Sequence, residues 1–562
     1  MGGLHPSKSF RRAALMACAV LMAFACGQGG QSTTSLAKDQ VLRVNIVTEP
    51  KVLDPGQTQY VYEAAVDRQI FETLLKPKFD ASGNPTDVTG AAAEKYDVSS
   101  DGLTYTFHLR KNSWSDGQPV TGKDFVTAWK RILDPTLAAP YTDPFFDTTV
   151  AGAQAYTDLD PKADAAKIPE YLKGLGLSAP DDNTFVVKLQ EPAPYFKWIA
   201  TLWMGAPVRQ DIVDKFGSDK WGAVDPATTK SLVGNGPFML SELAPQDHIT
   251  LVPNPKWTGT KPTLSKITVY YIADVNQGLS RFRTGELDDQ TVPLADTNTV
   301  KNDPTLGKLV HQVNSLTIFW VGFNTRKAPF DNPKVRQAFT QSVDRTKLRD
   351  VSFGRLQPFN TFIPQGMPGY STKLDNVQKF DPTAAKQALK DSGVDPASLK
   401  VAFLNRNITD NTTLAQVLQD QWKTNLGVNV TIDTQESKTV SKLQTAGNYQ
   451  FSLQGWGADY PDPQDWYTIW FCKSGNQFSG YCNKPYDDLV GKANVTTDQT
   501  QRMQMYQQAE EMLLKDFPGG MMYQRTTMEV VQSWVKGFKP TPMDDAPPLG
   551  DFFYTDLSIA QH

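Results

Sequence analysis

Between residues 381 and 432 the spacing of apolar residues changes period several times, and this alternation limits the fold more than any other feature of the chain. Asp381-Pro382 opens a helix that Gly393 closes: aspartate caps a first turn, proline suits the first helical position and glycine supplies a left-handed stop. Leu399 to Leu404 follows as a strand. Leu414, Val417, Leu418 and Trp422 then fall on one helical face, and Val428, Val430 and Ile432 alternate as a further strand. Strand, helix and strand in that order predict a crossover, hence a parallel sheet covered by helices. The run from Leu316 to Phe323 is apolar on both faces and belongs in the centre of a sheet.

Similar signals recur nearer the amino terminus. Leu42, Val44 and Ile46 alternate with Arg43 and Asn45, and Ile267, Val269 and Tyr271 repeat that period, as half-buried strands do. Thr121 is a candidate N-cap with Asp124 three residues on, ahead of a stripe of Phe125, Ala128, Trp129 and Ile132. The chain is therefore of the α/β class, and its 562 residues call for two or more lobes. No repeat of fixed period is visible, and beyond the first thirty residues no stretch reaches the apolar length of a membrane span.

Charge narrows the function. The chain carries 56 basic and 60 acidic residues, mixed along its length without a basic block. Nucleic acid is not an expected partner, because phosphate binding needs a concentrated Lys/Arg face. His5, His108, His248, His311 and His562 are scattered, so no metal and no cofactor is expected. The motifs GxSxG, HExxH and the P-loop are absent from the sequence.

The amino terminus reads as an address. Lys8, Arg11 and Arg12 precede an apolar run from Ala13 to Ala25, the basic and hydrophobic regions of a secretory signal over residues 1–25. Ala23-Phe24-Ala25-Cys26-Gly27 resembles a bacterial lipobox, in which the cysteine becomes the lipidated first residue. An ordinary signal peptidase could also read Ala23-Phe24-Ala25. The polar and glycine-rich segment from Gly27 to Ser35, within a tether over residues 26–40, favours the lipid anchor. The mature chain would carry a net charge of −7 and work outside the cytoplasm, on the outer face of the bacterial membrane. In that oxidising setting Cys472 and Cys482, flanking a turn-rich loop, are expected to form a disulfide.

A family resemblance runs through the mature chain. Tyr105-Thr106-Phe107-His108-Leu109-Arg110-Lys111, continuing through Trp114-Ser115-Asp116-Gly117-Gln118-Pro119-Val120-Thr121, closely resembles the signature of the oligopeptide- and dipeptide-binding proteins of ABC importers. Further matches follow in the family's order. They are Leu53-Asp54-Pro55, Phe71-Glu72-Thr73-Leu74-Leu75, Gly234-Asn235-Gly236-Pro237-Phe238, Pro253-Asn254-Pro255-Lys256-Trp257, Phe330-Asp331-Asn332 with Val335-Arg336-Gln337-Ala338, and Gly455-Trp456-Gly457-Ala458-Asp459-Tyr460.

The resemblance implies a two-lobed periplasmic-binding-protein (Venus-flytrap) fold with an extra subdomain in the first lobe. Lobe I would comprise residues 41–71, 216–312 and 532–562, the subdomain 72–215, and lobe II 313–531. Crossings near Val313 and Val531 would form a hinge that closes over a ligand. It also implies a monomer that delivers peptides to ABC permease subunits and has no enzymatic activity.

A receptor indifferent to peptide sequence must grip the ends and backbone. By resemblance, Asp459 pairs with the ligand's α-ammonium, Tyr141 helps hold that amino end, and the backbone of Val61 pairs with the peptide. Gly455, Trp456 and Ala458 line the same segment, where an added-strand geometry supplies hydrogen bonds. The chain departs from its relatives at Gln59, where an acid is usual, although Glu63 lies one helical turn on. It departs again at Ser437, Gln444 and Leu453, so no partner for the ligand's carboxylate is identifiable. Relatives on this fold also carry nickel chelates, sugars or opines, and an extracytoplasmic hydrolase or chaperone is the contender from another class. Asp459, Asp462 and Asp465, spaced by three, fit neither a calcium loop, whose sixth position would be Gln464, nor a demonstrable glycosidase pair. The latter two are expected to be solvated loop acids.

Overall fold

A computed structural model describes residues 1–2, 35–142, 145–224, 232–544 and 547–562. Most of the signal and tether, including Cys26, lies outside them. The alternating segments at each end of the first lobe meet in one sheet. Val41–Asn45 runs parallel to Lys266–Tyr270, followed in space by His248–Pro253 and Phe238–Ala244, both antiparallel to their neighbours. Leu42, Val44, Ile267 and Val269 point into the core, as their spacing requires.

The second lobe is built on a seven-stranded sheet whose edge strand, Asp289–Thr291, comes from the stretch 216–312 expected in the first lobe. Its main path is Asp289–Thr291, Gly519–Val531, Val310–Phe323, Phe451–Gly457, Val401–Arg406 and Val430–Gln435, with Leu356–Pro358 against Gly519–Val531. Val401–Arg406 and Val430–Gln435 are parallel, joined by the helix Thr409–Leu426, which is the crossover expected from the pattern. The strand begins two residues later than the expected Leu399. The sheet is not wholly parallel, however: Val310–Phe323 is antiparallel to both of its neighbours.

That central strand shows why an apolar run on both faces was needed. Leu316, Ile318 and Trp320 enter one core with Tyr486, Tyr506 and Leu513, while Val321 and Phe323 enter another with Phe339, Leu418 and Trp422. The helix Pro382–Asp391 covers the second of these cores. The Asp381 carboxylate accepts from the Ala384 N–H, and Gly393 takes φ +74° where the chain turns away.

The signature segment Tyr105 to Leu109 lies in a further sheet, antiparallel throughout, in the order Ala93–Val98, Thr104–Leu109, Thr184–Lys188 and Leu177–Asp181. The helix Gly122–Ile132 packs on it through buried Phe125, Ala128, Trp129 and Ile132. Its capping box is formed: the Thr121 N–H donates to Asp124 Oδ2 at 2.7 Å.

The long strands Val310–Phe323 and Gly519–Val531 pair from Val310 opposite Val530 to Gly322 opposite Gly519, with an irregularity between Asn314 and Ile318. Leu279, Phe282, Val300 and Leu306 pack against Met528 and Val530 at one end of this ribbon. The C-terminal segment then returns to the first lobe, where the Ala37 N–H donates to Ile559 O at 2.8 Å. Cys472 and Cys482 form a disulfide. No helix among the described residues is long and apolar enough to cross a membrane.

Candidate ligand-binding cleft

The strand Phe451–Gly457 carries the candidate site to the face between the lobes. Past its end, the Ala458 N–H donates to Leu316 O at 2.9 Å and the Asp459 N–H to Asp465 Oδ2 at 3.0 Å. These two bonds fix the loop that presents the Asp459 side chain.

A cavity of about 160 Å3 opens there. The second lobe contributes Gly455, Trp456, Gly457, Ala458 and Asp459; the opposite wall is Val61, Arg68, Tyr141 and Trp203, with Met543 and Phe552 from the C-terminal segment. Six residues singled out from the sequence thus converge from three distant stretches of chain. Val61 is the first residue of the helix Val61–Ile70. Tyr141 stacks on Phe145 with ring centroids 6.0 Å apart and leans on Trp203 at 5.5 Å. Gly455 has a packing reason beyond ligand approach: a Cβ there would stand 2.6 Å from Phe319 Cδ1 and 3.0 Å from Ile318 O.

Gln59 is exposed and does not line the cavity. Its N–H, with those of Lys51 and Tyr60, donates to the buried Glu63 carboxylate, so Glu63 serves the helix start and does not face the cavity. The sequence reading missed Arg68, Trp203, Met543 and Phe552. Arg68 lies seven residues after Val61 on one helix face, a signal that was available. It donates to Asp551 Oδ2 at 2.7 Å and stacks over the Phe552 ring at 4.4 Å. Nothing local marks the other three, which arrive from elsewhere in the chain.

The expectation of solvated acids at Asp462 and Asp465 is overturned, since both are buried. Asp462 is held by two bonds from Arg502, Nη1 to Oδ2 at 2.8 Å and Nη2 to Oδ1 at 2.5 Å. The partner comes from the helix Gln499–Asp516, forty residues on, beyond the reach of local spacing. Burial, and then the nearby Asp459, push the Asp465 carboxyl well above the usual carboxylate range. Asp459, beside it, lines the cavity.

The lobes touch beside this site. Tyr460, next to Asp459, is fully buried against the first lobe, stacked on Tyr195 at 6.5 Å and edge-on to Phe145 at 5.6 Å. Arg502 also lies over the Tyr195 ring at 5.7 Å.

Two lobes bridged by strands, with a small mixed polar and aromatic cavity between them, define a solute receptor. Residues 87–478 match the family described as bacterial extracellular solute-binding proteins, family 5, and the chain belongs to that family. It is 31% identical over 541 residues to the oligopeptide-binding protein OppA of Bacillus subtilis, covering 93% of this chain and 95% of that one. It is also 31% identical over 517 residues to the probable deoxycholate-binding periplasmic protein YgiS of Escherichia coli, covering 90% and 92%. Among solved structures, Haemophilus influenzae OppA in complex with the peptide RPPGFSPFR superposes with a TM-score of 0.77 at 28% identity, covering 94% of this chain and all of that one.

Proposed function

We propose that this chain captures oligopeptides between its lobes and delivers them to an ABC permease, held at the outer face of the membrane by a lipid on Cys26. The observation that carries the reading is the convergence of Asp459, Tyr141, Val61, Gly455, Trp456 and Ala458 on one interlobe cavity. Asp459 pairs with the peptide's α-ammonium, and a charge-assisted bond in a closed cleft contributes about 1.5–3 kcal/mol. Tyr141 flanks that amino end. The strand edge at Gly455 to Ala458 and the helix start at Val61 meet the peptide backbone, while the protein does no chemistry on it. In this reading lobe I takes residues 41–71, 216–312 and 532–562, the subdomain 72–215 and lobe II 313–531. Closure rotates the lobes about the paired strands Val310–Phe323 and Gly519–Val531.

The deciding experiment incubates purified mature protein with a mixed pool of tri- to hexapeptides and analyses protein and supernatant by mass spectrometry. Stoichiometric recovery of intact peptides supports the receptor; shortened products would favour a hydrolase. The relative named for deoxycholate gives a second reading its one support. Binding of that bile acid or another non-peptide solute, with no peptide retained, would replace the oligopeptide assignment.

A further inference from the structure

Arg406 is a cation at the cleft edge of the second lobe that, among the described residues, forms no ion pair. It ends the strand Val401–Arg406, at the carboxyl edge where parallel strands of α/β sheets receive ligands. That strand pairs in parallel with the cavity strand, Phe403 opposite Phe451 and Leu404 opposite Ser452. Continuing the register places Arg406 level with Gln454, one residue short of Gly455 in the cavity wall.

The guanidinium is held by neutral groups. Nη1 donates to Ser437 O at 3.0 Å, and Nη2 lies 3.4 Å from Ser441 Oγ and 3.5 Å from Gln444 Oε1. Arg68 in the cavity wall, by contrast, is paired with Asp551, and the buried Arg502 with Asp462. No carboxylate among the described residues forms an ion pair with Arg406. Partial burial lowers its pKa, and the electrostatic neighbour that opposes this is Tyr60, of the other lobe. Tyr60 stacks on Tyr62 with ring centroids 5.4 Å apart, directly before Val61 of the cavity wall. Half-burying a cation with no counter-ion is costly, and the cost is recovered when an anion arrives in the closing cleft.

On the peptide reading above, we propose that Arg406 receives the C-terminal carboxylate of the bound peptide, at the opposite end of the cleft from Asp459. The spacing sets the ligand's length. Asp459 lies five positions beyond Gln454, and at about 3.3 Å per residue that is at most about 16 Å, the span of four to five extended residues. Arg406 thus takes the place of the positions at Ser437, Gln444 and Leu453. Gln444 instead turns inward, its Nε2 donating to Ser452 Oγ at 3.0 Å, and Ser437 lends its carbonyl to Arg406.

The test is calorimetry with a pentapeptide as free acid and as C-terminal amide, on the native protein, Arg406→Gln and Arg406→Lys. The native protein should prefer the acid by about ten- to a hundredfold. Arg406→Gln should bind acid and amide alike, at the native affinity for the amide, and Arg406→Lys should restore part of the preference. Dipeptides, too short to span both ends, should not respond to either variant. A native acid preference that persists in Arg406→Gln, or an equal loss for acid and amide, overturns the Arg406 assignment while leaving the peptide reading intact. Failure of the native protein to bind any peptide overturns both.

Discussion

Tyr195 offers a way to change ligand affinity without touching the ligand. It belongs to the first lobe, is buried, and does not line the Asp459 cavity. It meets the second lobe through the stacked ring of Tyr460 and through Arg502 above its face at 5.7 Å. An aromatic pair contributes about 0.5–1.5 kcal/mol beyond its area, and a desolvated cation over a ring a similar amount or somewhat more. Tyr195→Leu keeps the space apolar but removes both contacts, so the closed form should lose about 1–3 kcal/mol relative to the open form. If peptides are held by the closed form, their affinity falls by about five- to 150-fold. Calorimetry on a binding peptide reads the affinity, and small-angle scattering with and without peptide reads closure. Tyr460→Leu should have a similar effect, and the two together should be less than additive because they remove a shared contact. Native affinity in Tyr195→Leu, with an unchanged scattering curve, would show that these rings do not bias closure and would refute the reasoning.

Asp459→Asn should weaken a peptide with a free amino terminus by about ten- to a hundredfold and leave its N-acetylated form unaffected, as calorimetry on both would show. Arg502→Met strands the Asp462 carboxylate in the interior and should destabilise the second lobe by about 3–5 kcal/mol in denaturant unfolding, while adding Asp462→Ala should return much of that loss. Burial, and then the facing Glu529, raise the Asp289 carboxyl well above its usual range, and burial raises Glu529 as well. Each holds its proton more tightly when folded, so their contribution is full below about pH 4 and is lost as pH rises through the folded values. Asp289→Asn should therefore raise the melting temperature at neutral pH and flatten its decline above pH 4; an unchanged pH profile would show that the pair does not titrate in this way.

Local pattern carried a good deal of the fold. The helix Gly122–Ile132 was legible because a threonine, an aspartate three residues on and a stripe at helical spacing need only one turn of context. The run from Leu316 to Phe323 disclosed a central strand because only a strand buried on both faces tolerates apolar residues at successive positions. Most of the cavity residues were legible too, through segments matched to a family and not through chemistry visible in the residues alone. The buried roles of Asp462 and Asp465 were hidden, since an aspartate in a turn reads as solvated until a distant arginine or a neighbouring loop covers it.

By itself, then, the sequence determined the α/β class, the faces that turn inward and the family segments that bring Asp459 to a cleft. Tertiary structure alone decided that the larger sheet is mixed, that Phe552 and Met543 close a cavity begun by Val61, and that Arg406 is held by the neutral groups of Ser437, Ser441 and Gln444. The physical reason is one of range. Periodicity and capping record interactions within a turn or two, whereas strand pairing such as Phe319 with Gly455 and Tyr523, and the meeting of Asp462 with Arg502, depend on chain segments tens to hundreds of residues apart.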